Sequence, residues 1–286
     1  MGNSRIGNSG LRIENDENFW RNFREWLNRK YSKSWAGAVF YYSKKYYHML
    51  EGNLSELESF TKAKRAHVLK SLIALSKYLG VYEDFKKKIK SYGIKWERQD
   101  ALESFLRMVK PKEELIDYVR KCLKLDKNLA TFVEFLTISG LRRGEAINSF
   151  NLIIELAKEG KLNEYYDFGL QSLEHFRFKK FLRKTKNVFF SFIPEDLIWK
   201  ISSCRPMNET WIRRRLRENG LKMRMNELRS YFATFMLKNG LLREEVDLLQ
   251  GRMGTSIFMR HYFSPQIYEL RDRVLAAIEK LREQLK

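Results

Sequence analysis

The chain has 286 residues, with 55 lysines and arginines against 35 acidic residues and a formal charge of +20. Its apolar and aromatic content suits two modest folded domains, and a charge excess spread along the whole chain points to a polyanion as partner, nucleic acid first. No apolar run reaches the ~20 residues that cross a bilayer, and Cys122, Cys204 and the four histidines show no CxxC spacing or clustering, which excludes a disulfide framework and argues against a metal site.

The polar, Gly/Asn/Ser-rich start, residues 1–16, lacks the hydrophobic segment of a secretory signal and reads as a flexible leader of a cytoplasmic protein. Apolar residues then recur at helical spacing through Phe19–Leu27, Ser34–Leu50 and Ala66–Leu79. In the third of these the apolar face is Val68, Leu69, Leu72, Ile73, Leu75 and Leu79, while Lys62, Lys64, Arg65, His67 and Lys70 gather at the N-terminal end and outer side. Free N–H groups and positive side chains coincide there, as a phosphate-binding surface requires, although a solvated helix face has the same composition. The charged stretch KKKIKSYGIKWERQDALE, residues 86–103, has no clean helical period in its middle and marks a linker. The resulting division is a helical domain over 17–92, a linker over 93–110 and a second domain over 111–286.

Pro111 and the acidic residues after it open a helix. Two helices follow, separated by a glycine turn at Gly140. The aromatic-rich arms Phe176–Leu182 and Val188–Ile193 predict a β-hairpin with Lys184 and Lys186 at its tip. Helical patterns return at NETWIRRRLRENG, NELRSYFATFMLKNG and LREEVDLLQG. The last, PQIYELRDRVLAAIEKLREQLK, carries an apolar stripe of Ile267, Leu270, Val274, Ile278, Leu281 and Leu285. The fold class expected is mainly α with a small β-sheet.

Cleaving a phosphodiester without metal requires a nucleophile, positive donors for the nonbridging oxygens and an acid for the leaving alkoxide. Tyrosine, arginine and lysine can supply all three, and arginine's planar fork suits two phosphate oxygens. Four segments could present such groups: TISGLRRGEA with Arg142, RKTKNV with Lys184 and Lys186, NELRSYFAT with Arg229, and LLQGRMGT with Arg252, which precedes Tyr262 by ten residues. Any one alone is weak evidence; their order ahead of Tyr262 is informative.

In that order they resemble the tyrosine recombinases, the phage-type or Xer-type integrases. SGLRRGEA is similar to the family's first arginine box. NELRSYFAT resembles the second, H-x-L-R-H-x-F-A-T, at Leu228, Arg229, Phe232, Ala233 and Thr234, and LLQGR stands where the family has L-L-G-H. The Q-G-R form with a following H-Y is nearer to integrases of archaeal spindle-shaped viruses and related plasmids than to bacterial Xer proteins. The resemblance extends more weakly to the N-terminal half, as the family's core-binding domain.

The resemblance implies a catalytic set: Tyr262 as nucleophile, Arg142 and Arg229 as phosphate clamp, Lys186 as general acid with Lys184 as runner-up, and Arg252 as a further donor. Asn226 stands where the family has histidine or lysine; an amide cannot act as a base near neutral pH, so it is left a hydrogen-bonding role, or that of a helix N-cap. Proton removal from Tyr262 then falls to water or to a neighbour such as His261. Lys62, Lys64, Arg65, Lys70, Lys184, Arg213, Arg214 and Arg217 are the expected DNA-backbone contacts. The partner implied is duplex DNA at attachment sites, held by two domains closing as a clamp, with four protomers on two sites, each protomer free to be a monomer in solution. No cofactor or metal is implied, and the expected location is the nucleoid. The last helix either packs on its own domain or docks on a neighbouring protomer; the resemblance favours docking. A type IB topoisomerase and a non-enzymatic DNA-binding regulator are the competing functions.

Overall fold

The computed structural model describes residues 16–94, 102, 113–182, 187–252 and 266–286. The chain divides into two compact units, Met1–Val109 and Lys110–Lys286. The architecture is mainly α, with one small three-stranded antiparallel sheet among the described residues.

The first unit is helical: α1 (Glu17–Lys30), α2 (Lys33–Tyr46), α3 (Lys62–Leu79) and α4 (Tyr82–Ser91), with two 3-10 turns between α2 and α3. Asp16 caps α1 by accepting from the Phe19 N–H at 2.9 Å. Thr61 caps α3, and Gly80, at φ +78°, ends it in the left-handed conformation. Trp20, Phe23 and Leu27 from α1 meet Val68, Leu69, Leu72 and Leu75 from α3 in the core. Helix α4 takes in the first residues of the charged stretch and lies within the helical domain expected over 17–92. Phe85 and Ile89, four residues apart, are its buried face, and the Lys88 ammonium folds back onto the Met49 and Leu50 carbonyls at 3.3 and 2.9 Å. A run of lysines hides this helix, because only two apolar positions hold it.

The second unit is built on α6 (Lys127–Ser139), flanked by α5 (Glu113–Leu123), α7 (Arg143–Lys158), α8 (Glu195–Ser202), α10 (Met225–Lys238) and α12 (Ile267–Leu285), with α9 (Glu209–Glu218) and α11 (Arg243–Leu249) further out in sequence. Every residue of α6 from Thr131 to Ser139 is buried, the pattern of a helix enclosed on all sides. The sheet runs β1 (Tyr166–Asp167), β2 (Ser172–Glu174), β3 (Phe190–Phe192), with Ser172 opposite Phe192 and Glu174 opposite Phe190.

One arm of the expected hairpin is displaced. Phe176–Leu182 is not a strand but two 3-10 turns, His175–Arg177 and Lys179–Phe181, and β3 pairs instead with Ser172–Glu174. The aromatic spacing explains it: Phe178 and Phe181, three residues apart, both pack on Tyr165 at ring distances of 5.2 and 5.8 Å, whereas a strand alternates its faces. The tip residues 183–186 lie outside the described residues.

Behind these turns His175 is fully buried, with Nδ1 2.7 Å from the Tyr165 hydroxyl and Nε2 3.0 Å from Ser191 Oγ. Burial pushes its imidazole from 6.5 down to about 3. Below pH 6.5 the unfolded chain takes up a proton that the folded chain refuses, so this stability is complete above about 6.5 and is lost as pH falls toward 3. Denaturant titration at pH 7 and 4.5 should show a loss of about 3 kcal/mol from this group, and His175→Gln should remove that component of the pH dependence. An equal pH dependence in both proteins would show that His175 titrates normally.

The stripe of α12 is covered by its own unit, which corrects the expectation of docking on a neighbour. Leu270, Val274, Ile278, Leu281 and Leu285 are buried in the same core as Phe132 and Leu228. Polar ties fix the helix on both sides: Arg273 pairs with Glu245 of α11, and Arg282 with Glu134 of α6 and Asp196 of α8. Arginines placed beside the apolar stripe thus match carboxylates on three neighbouring helices, a complementarity that periodicity alone does not show. Among the described residues no helix is long and apolar enough to cross a membrane.

Candidate active site

Arg142 stands at the start of α7. Helix α6 stops at Gly140, whose φ of +62° and contact with the Phe232 ring exclude a side chain, since an added Cβ would lie 2.5 Å from that ring. The chain then turns so that the Arg142 N–H donates to Glu145 Oε2 at 3.0 Å, while the Arg142 guanidinium meets Oε1 of the same carboxylate at 2.7 Å. Glu145 is only 3 % exposed, so this capping interaction both starts the helix and orients the arginine.

Arg229 lies in the second turn of α10 and is 8 % exposed. Its guanidinium donates through Nη1 to the Gly140 carbonyl at 2.6 Å and through Nη2 to the Gln250 carbonyl at 2.5 Å. Burial lowers its pKa to about 10, the positive charges of Arg142 and Arg252 act in the same direction, and Glu145 opposes them. Arg229 therefore keeps its charge at neutral pH, in the electrostatic reach of two other arginines. Positive charge concentrated this way, on a partly desolvated fork, is suited to an anion with several oxygens.

Arg252 follows α11. Gly251, at φ +61°, turns the chain, and the Arg252 N–H closes the turn on the Asp247 carbonyl at 2.7 Å. The exposed Arg252 guanidinium lies 3.8 Å from the Asp247 carboxylate. Gly251 packs directly on the backbone of Asn187 and Val188, where an added Cβ would collide. Asn187 is the residue after Lys186, so the arm that leads out of the lysine tip is seated on the Arg252 turn. Gly251→Ala should destabilise the unit by about 3 kcal/mol through positive φ and collision together. A thermal melt equal to that of the native protein would show that the arm and the turn are not in contact.

Sequence reasoning thus names three arginines, and the structure brings all three together. Lys184, Lys186, His261 and Tyr262 lie outside the described residues. Asn226 is exposed in the first turn of α10 and is not its cap, a position held by Arg224. Among the expected DNA contacts, Lys62, Lys70, Arg213, Arg214 and Arg217 are exposed; Arg213 pairs with Glu209 and Arg214 lies near Glu218. Lys64 sits over the Phe60 ring at 3.4 Å, and Arg65 donates to the Leu57 carbonyl at 2.8 Å, so both also hold the turn before α3. Glu145 and Gln250 have roles that sequence reasoning does not assign. The capping spacing from Arg142 to Glu145 is a readable signal for the first; nothing local signals the second.

A model of the archaeal phage integrase family matches residues 107–272, more than half of the chain. The chain belongs to that family. The matched span contains all three clustered arginines and Tyr262. This integrase therefore falls among recombination enzymes that integrate DNA at specific sites, and DNA is its partner. No curated protein matches the chain.

Proposed function

We propose that this integrase breaks and rejoins DNA through a covalent 3′-phosphotyrosine on Tyr262. The observation that carries the proposal is the gathering of Arg142, Arg229 and Arg252 around one buried, carbonyl-anchored guanidinium. In this scheme Arg142 and Arg229 clamp the nonbridging oxygens of the scissile phosphate and Arg252 donates from the exposed side. Charge developing in the transition state then meets donors already in place. Tyr262 attacks, and Lys186 protonates the 5′ oxygen as it leaves, with Lys184 as runner-up. Asn226 can donate a hydrogen bond but not act as a base, so water or His261 takes the tyrosine proton. The phosphotyrosyl bond conserves the energy of the broken phosphodiester, and a 5′ hydroxyl from a partner duplex reseals it without nucleotide or metal.

On this reading residues 111–286 form the catalytic domain, and residues 17–92 bind the DNA beside the crossover, with Lys62, Lys64, Arg65 and Lys70 toward phosphate. The helix carrying Arg213, Arg214 and Arg217 adds backbone contacts. Four protomers on two attachment sites exchange strands pairwise through a Holliday junction.

Nicked suicide duplexes covering candidate attachment sequences test the scheme, because cleavage next to the nick releases a short strand and traps the protein on DNA. A denaturation-resistant adduct that disappears in Tyr262→Phe, with DNA binding retained, is the expected result. Adduct formation on any duplex regardless of sequence would favour a type IB topoisomerase. Binding without any adduct would favour a non-enzymatic regulator.

A further inference from the structure

We infer that Gln250 is a positioning residue for Arg229, and that it acts by locking the Arg252 turn to the helix that carries Arg229. The inference rests on the recombinase scheme above and adds to it a residue outside the arginine, lysine and tyrosine set.

Gln250 is 0 % exposed. It makes a reciprocal pair with Arg229: its main-chain carbonyl accepts from Arg229 Nη2 at 2.5 Å, and its Nε2 donates to the Arg229 main-chain carbonyl at 2.8 Å. The first contact orients the guanidinium, and the second ties residue 250 to the backbone of α10. Together they allow the Gln250 carbonyl one position relative to Arg229. Because Gly251 and Arg252 follow directly, the same lock sets where Arg252 leaves the turn.

The remaining amide atom argues against a purely stabilising role. Gln250 Oε1 is buried with no hydrogen-bond partner among the described residues, and a buried acceptor without a donor opposes folding. Reversing the amide would set Oε1 against the Arg229 carbonyl, acceptor to acceptor, so the lock requires that oxygen to remain unpaired. The Arg229 carbonyl lies inside α10 and has its helical N–H in any case. An apolar side chain of the same length would therefore fill the site at little cost to stability while releasing the turn.

Gln250→Met separates position from stability. The variant is expected to melt as the native protein and to bind duplex DNA with unchanged affinity. Its single-turnover adduct formation should fall roughly 10- to 100-fold, the effect of a small misplacement of a group on the reacting phosphate. In an Arg229→Lys background, where the fork is already lost and only the Arg252 turn remains to be displaced, adding Gln250→Met should lower the rate by clearly less than it does alone. A native rate in Gln250→Met overturns the inference, as do a lowered melt or equal fold-losses in both backgrounds, which would make Gln250 a packing residue. If the native protein forms no adduct, the recombinase scheme fails separately, and NMR of the free protein decides on Gln250. Faster exchange of the Arg229 Nε–H in Gln250→Met supports the lock, and an unchanged signal overturns it.

Discussion

Deleting residues 267–286 should unfold the Lys110–Lys286 unit rather than merely weaken assembly. Leu270, Val274, Ala277, Ile278, Leu281 and Leu285 are all buried in that unit's core, and the deletion would expose the opposing faces of α6 and α10 as well. Truncating just one of them, as in Ile278→Ala, should cost about 2–5 kcal/mol and lower the melting temperature on the order of 10 °C. Losing all six exceeds the roughly 5–15 kcal/mol by which folded domains are stable. Calorimetry on the deletion and on Ile278→Ala checks this. A deletion variant that still melts like the native protein while failing to assemble would return the helix to a docking role.

Arg229→Lys should leave DNA bound and nearly uncut. Lysine keeps the charge, yet one ammonium cannot reach the Gly140 and Gln250 carbonyls in the geometry of a planar fork and still face a phosphate. Loss of one preorganised donor at the point of developing charge costs ~10²–10³ in rate. Binding of nonspecific duplex, which depends on the spread of positive charge, should change little. Comparing adduct formation with electrophoretic binding separates the two effects. A native cleavage rate in Arg229→Lys would mean that this guanidinium does not touch the reacting phosphate.

What was legible in the sequence was mostly local. The glycine stop at Gly140 and the spacing from Arg142 to Glu145 are signals within one turn, and the structure has both where the spacing places them. The apolar face of α3 was equally readable, because helical period needs no knowledge of the partner. The stripe on α12 states that a face is covered and is silent on what covers it; only the matching of Arg273 to Glu245 and Arg282 to Glu134 and Asp196 settles that. The aromatic arm Phe176–Leu182 reads as a strand from composition although it forms 3-10 turns, because β-rich composition and the i, i+3 spacing of such a turn coexist in it. Gln250 was invisible for a different reason: its side chain has meaning only against a carbonyl 21 residues away.

The separation of Arg229 from its anchors also has a kinetic meaning. Its two carbonyl partners stand 89 and 21 residues away along the chain, and the Arg282–Glu134 tie spans 148. Contacts of such long range form late, because the entropy of closing large loops must be met before they are rewarded. On the ribosome the arginine cluster cannot be complete until α11 and the Gln250–Arg252 turn have emerged. A partly synthesised or partly unfolded chain still carries most of the positive charge that attracts DNA, but it lacks the assembled arginine cluster. On the proposed scheme the topology thereby separates attraction to DNA from the ability to cut it, and withholds the second until the unit has folded.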